Sequence, residues 1–120
     1  MRIEGYAAVF DRVDRAGDVF RRGAFAGVGA VPLLWGHRGA PVGAIEAIGE
    51  DDRGLRITAT VTAQEPARLV RAGALAGLSV GYRALVVRQG ARRELVRVAL
   101  AEVSLVAVPM QAMARVTRVF

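Results

Sequence analysis

Glycine at short intervals constrains this chain more than any other feature. Fourteen glycines break 120 residues into short apolar runs, a rhythm that suits strands joined by turns and leaves little room for long helices. Ile3 to Phe10 is apolar apart from Glu4 and Gly5 and predicts a buried first strand, ended by the polar stretch Asp11 to Gly17. Asp18-Val19-Phe20 and Gly23-Ala24-Phe25 set aromatics among turn residues and lead into a loop at Gly27 to Ala30. Val31 to Trp35 predicts a second strand, with proline near its start. Val42 to Ile48 and Leu55 to Thr62 predict a hairpin around Gly49 to Gly54. In its second arm Leu55, Ile57, Ala59 and Val61 alternate with Arg56, Thr58, Thr60 and Thr62, giving one buried and one wet face.

The one clear helix starts at Glu65-Pro66 and carries Ala67, Leu69, Val70, Ala74 and Leu75 toward a stop at Gly77. Leu78 to Val87 predicts a strand, followed by a turn at Gln89-Gly90 and an antiparallel return over Glu94 to Leu100. A last strand runs from Glu102 to Val108, Pro109 ends it, and Met110 to Phe120 is apolar enough to dock as a short helix or strand. The expectation is one domain over residues 1–120, mainly β with few helices, folded as a compact barrel or sandwich.

Composition narrows the function classes. The apolar fraction is 53% with a mean hydropathy of +0.33, yet no window approaches the roughly 18 uninterrupted apolar residues of a bilayer span. Met1 to Tyr6 lacks the zones of a secretory signal, so a cytoplasmic location is expected, with no membrane partner. Without cysteine, and with one histidine, the chain offers neither disulfides nor a plausible zinc ligand set. All seventeen basic residues are arginine, and the formal charge is +6. That charge favours anionic partners, but the pairs Arg21-Arg22 and Arg92-Arg93 lack interleaved aromatics, so a solvated surface is the better reading and no specific nucleic-acid site is expected.

The chemistry available is small in number. His37 is the single histidine, and Ser79 and Ser104 are the only serines, so any Ser/His pairing uses His37 with one of these two. His37 lies between Gly36 and Gly39 at a strand end, where an imidazole can be exposed, although taken alone a plain turn histidine is the better reading. Ser79 follows the helix stop, a place where a serine is more often a cap than a nucleophile. A serine nucleophile needs a base within hydrogen-bond reach and donors for the developing oxyanion. Glu102, a carboxylate inside an apolar strand, could orient the imidazole, or could face solvent or pair with an arginine. Ser104 shares its face by strand alternation and could support Glu102 or simply pack. Residue types and spacing thus permit a serine hydrolase without selecting it.

A set of motifs in fixed order goes further. Gly5-Tyr6-Ala7-Ala8-Val9-Phe10, Asp18-Val19-Phe20, Gly23-Ala24-Phe25 and Leu33-Leu34-Trp35-Gly36-His37 resemble the opening of the prohead maturation proteases of tailed phages. Pro41-Val42-Gly43, Gly54-Leu55-Arg56-Ile57, Gly77-Leu78-Ser79-Val80-Gly81-Tyr82 and Glu102 to Pro109 continue the likeness, which spans about residues 3 to 115. The resemblance implies His37 and Ser79 as catalytic pair and Glu102 as the acidic member; the related herpesvirus assembly proteases use a second histidine there, which this chain lacks. It implies their small closed β-barrel, a serine endopeptidase needing no metal or organic cofactor, and action inside the immature capsid on scaffold or the N-terminal segment of the major capsid protein. The chain is short for the family, resembling the compact form expected in a gene transfer agent, and a homo-oligomer is compatible with it. Amides near Val80 and Gly81 are candidates for the oxyanion hole. The competing reading is a catalytically silent capsid assembly module that binds capsid protein through its arginine-rich surface.

Overall fold

The computed structural model describes all of residues 1–120. In chain order the elements are β1 (Arg2–Val9), β2 (Asp18–Phe20), β3 (Pro32–Trp35), β4 (Arg38–Glu50), β5 (Gly54–Val61), α1 (Gln64–Arg71), β6 (Gly77–Gln89), β7 (Arg93–Val106) and β8 (Val116–Val119). The alternation along β5 is realised as expected: Leu55, Ile57, Ala59 and Val61 are buried, while Arg56 is exposed and Thr58 and Thr60 lie between. With Ile3, Ala7 and Ala8 of β1 they join a single core cluster of 21 residues that also takes in Phe20, Phe25, Leu33, Leu78, Leu95, Val103 and Leu105. Phe20 anchors it, with ring centroids 5.1 Å from both Phe25 and Tyr82. Burying such a side chain is worth about 1.5–3 kcal/mol.

Three expectations about β structure are corrected. The separate strands predicted over Glu94 to Leu100 and Glu102 to Val108 are one, β7, which pairs continuously with β6 from Gly77↔Val106 to Gln89↔Arg93. The ladder passes over Ala101 as a bulge, Gly81 pairing with Glu102 and Tyr82 with Leu100. A bulge bends and re-aims a strand without ending it. The closed barrel is also not what forms. The sheet runs β2-β7-β3-β4-β5-β1-β8 with β6 on β7. Between its β6 and β8 sides there is an isolated bridge, Gly77↔Arg115, flanked by amide bonds from Leu78 to Ala114 O and from Val116 to Ala76 O. Closure would need a ladder there, and β8 is paired to β1 instead.

Asp18–Phe20, read as turn, is a strand lying parallel to Arg93–Leu95. Its partner is more than seventy positions away, so nothing local signals it. The helix ends earlier than predicted, because Gly73 takes φ +78° and the amides of Gly73 and Ala74 return to the carbonyls of Val70 and Leu69, closing its C-terminus.

Candidate active site

The site is built on β7. β6 covers one edge of this strand, and β2 and β3 share the other, β3 parallel with Leu33↔Val103, Leu34↔Ser104 and Trp35↔Leu105. Glu102, Val103, Ser104 and Leu105 are consequently all buried. Val103 and Leu105 belong to the core cluster, and alternation turns Glu102 and Ser104 to the other face. Ser79 on β6 stands opposite Ser104, and Gly81 opposite Glu102, so these four positions share that face.

His37 is delivered to the same face by a two-residue hairpin. Trp35 pairs with Arg38, and the two residues between them have positive φ, +64° at Gly36 and +66° at His37. This is the primed turn that matches strand twist, and its second position holds a non-glycine residue in the left-handed region, at a local conformational cost. The cost is offset by specific bonds. The His37 amide donates to Ser104 Oγ at 2.9 Å, the Ser104 hydroxyl donates to Glu102 Oε2 at 2.7 Å, and the Gly36 amide donates to Leu105 O at 3.0 Å. His37 Nδ1 meets Glu102 Oε1 at 2.5 Å. A carboxylate only accepts, so Nδ1 carries the proton and Nε2 is left as the ring's acceptor. Of the two readings open for Glu102, the structure gives the histidine partner: its side chain is 12% exposed and no arginine pairs with it.

Gly81 makes room for this arrangement. A Cβ there would stand 2.3 Å from Glu102 Oε1, so the carboxylate lies directly over the glycine.

Ser79 is 7% exposed, and its hydroxyl forms no hydrogen bond within the protein. It lines a cavity of about 110 Å³ together with His37, the remaining wall being Ala7, Asp14, Ala16, Phe20, Leu78, Val80, Tyr82, Met110, Gln111 and Ala114. His37 and Ser79 thus border one space, and no direct hydrogen bond joins them. The expected pair of oxyanion amides does not fit β6: successive N–H groups of a strand point to opposite edges, so Val80 and Gly81 cannot both aim at one oxygen.

Three further cavity residues lie outside the set of site residues expected from the sequence. Asp14 lies in the stretch read only as a strand end, and its Oδ1 accepts from the amides of Ala16 and Asp18, both at 2.9 Å. Gln111, 4% exposed, accepts from the Val9 amide at 2.8 Å and donates to Val9 O at 2.9 Å. The Tyr82 phenol is pushed up to about 12 by burial and by the negative charges of Asp18 and Asp14. A glutamine or tyrosine embedded in an apolar run is the signal that could have drawn notice, since a buried polar group must find partners.

No helix is long and apolar enough to cross a membrane, and no group of three or more acidic or histidine side chains is spaced to hold a metal ion.

A hydroxyl beside an imidazole held by a carboxylate is the equipment of nucleophilic acyl transfer. The family model described as Caudovirus prohead serine protease matches residues 1–119, and the chain belongs to that family. A prohead protease of Enterobacteria phage HK97 is 32% identical over 91 residues, which are 66% of this chain and 40% of that protein. The chain thus spans about two fifths of the length of that relative. Among solved structures, the KSHV protease in complex with a hexapeptide phosphonate inhibitor matches with a TM-score of 0.59 at 13% identity, over 88% of this chain and 58% of that one. This likeness is one of fold. The varicella-zoster virus protease matches with a TM-score of 0.46 at 22% identity, over 82% and 56% of the two chains.

Proposed function

We propose that this chain is a serine endopeptidase of capsid maturation, acting within the immature shell on scaffold or on the N-terminal segment of the major capsid protein. The reading is carried by one observation: the imidazole of His37, fixed through Nδ1 by Glu102, borders the same cavity as the unengaged hydroxyl of Ser79. Ser79 attacks the scissile carbonyl, His37 takes the proton through Nε2 and returns it to the leaving amine, and Glu102 stabilises the imidazolium. Ser104 is a positioning residue, holding both the turn that presents His37 and the second oxygen of Glu102. Family membership supports the reaction class, and the substrates named are those that the resemblance in the sequence implies.

The test is co-expression of the chain with its neighbouring capsid protein, read by intact mass, for wild type, Ser79→Ala and His37→Asn. Asparagine is chosen because it tolerates the left-handed backbone that His37 adopts. Wild type should shorten the capsid protein while either folded variant leaves it whole, a loss of at least about 10³-fold in rate. If all three behave alike and particles still assemble, the chain is a silent assembly module.

A further inference from the structure

We infer that Asp14 makes the cavity beside Ser79 a receptor for a cationic side chain, so that the residue whose carbonyl is attacked is a lysine or arginine. This rests on the protease reading above and adds a substrate class to it.

Asp14 is 8% exposed. Its Oδ1 is engaged by two backbone amides, whereas Oδ2 has no donor. No polar side-chain atom sealed inside the protein lacks a partner, so Oδ2 keeps some accessible surface, and Asp14 is one of the residues that line the cavity. Arginines pair with Glu4, Asp11, Asp18, Glu46, Asp52, Glu65 and Glu94. In a chain with seventeen arginines, none pairs with Asp14. Neighbouring Asp18 is already served by Arg93 at 3.6 Å.

Two amides already meet Oδ1, and Oδ2 is left for a donor or cation that a ligand brings. Burial is the main reason that the Tyr82 proton is held more tightly, and the charges of Asp18 and Asp14 add to it. Most of the other walls, among them Ala7, Phe20, Leu78 and Met110, are apolar and suit the methylene stem of a long basic side chain. Because Ser79 itself forms part of the wall, the side chain that enters is the one beside the attacked carbonyl.

The test uses wild type, Ser79→Ala and Asp14→Asn. Asparagine keeps an oxygen for the amides of Ala16 and Asp18 and removes only the charge, so an unchanged melting temperature is expected. First, n-butylammonium is titrated into each ¹⁵N-labelled protein, and amide shifts around the cavity are followed. Wild type and Ser79→Ala should saturate alike, and Asp14→Asn should bind at least tenfold more weakly. Second, a mixed peptide digest is exposed to wild type and Asp14→Asn, and the new termini are identified by mass spectrometry. Wild-type cuts should follow lysine or arginine, and that preference should fall at least tenfold in Asp14→Asn. Equal butylammonium binding with and without Asp14, or wild-type cuts indifferent to a preceding base, would overturn the proposal. Butylammonium bound through Asp14 in a chain that cuts nothing would retain the cationic site and overturn the protease reading instead.

Discussion

Glu102 shows how little of a residue's role its type and spacing announce. In the sequence it is an acid in an apolar strand, for which solvent or an arginine is the more ordinary partner than an imidazole. Its bond to His37 comes from three placements that are far apart in the chain: a left-handed turn at Gly36-His37, a parallel neighbour in β3, and a glycine at position 81 that leaves the carboxylate room to lie flat. His37, Ser79 and Glu102 were nonetheless legible as candidates, because a chain with one histidine and two serines leaves few combinations. Asp14 was not, because an aspartate before a glycine-ended turn has an ordinary structural use. Gly81→Ala puts the dependence on Gly81 to the test. The added methyl would require Glu102 to swing away from His37, so cleavage should fall about 10–100-fold, an effect of the size found when a group supporting a site residue is lost. Circular dichroism melting would show the fold retained.

At the scale of elements, the local pairings were readable and the distant ones were not. The β4–β5 hairpin follows from alternation either side of a polar turn, and α1 from its proline start. By contrast, β2 and β3 lie parallel to β7 through contacts that no short window contains, and the division of β7 into two strands came from reading a bulge as a break. The tail, left open between helix and strand, becomes β8 on β1. It is led there by Gln111, whose amide group satisfies both the N–H and the C=O of Val9. Replacing Gln111 by leucine would strand a buried backbone donor, at about 1–3 kcal/mol. The expected result is a lower melting temperature and faster hydrogen exchange at Val116 to Val119, with the β4–β5 amides changed only through global stability.

Across the whole molecule, seven of the seventeen arginines are held in a set of ion pairs with acids. Glu94 is its centre: hydrogen bonds from Arg88 and Arg21 hold its carboxyl down at about 2. A carboxylate held below its ordinary 4.5 contributes stability in full above that value, and loses it as the pH falls toward 2. Wild type should therefore melt higher than Glu94→Gln near pH 6, and the gap should close between about pH 4.5 and 2. A scan of melting temperature against pH for the two proteins measures it. Such linkage leaves neutral conditions, where the carboxylate is ionised in either state, on the stable side.

The parallel seat of β3 against β7 has a further consequence, for the order in which the molecule comes into being. His37 meets Glu102 across 65 positions and Ser104 across 67, and contacts of such separation form late because the intervening loop must first be closed. On the ribosome the turn that carries the histidine emerges long before the strand that fixes it. Until β7 has been synthesised and inserted between β6 and β3, the imidazole has no carboxylate, Ser79 faces no partner strand, and the nascent chain holds none of the assembled site with which to attack its neighbours.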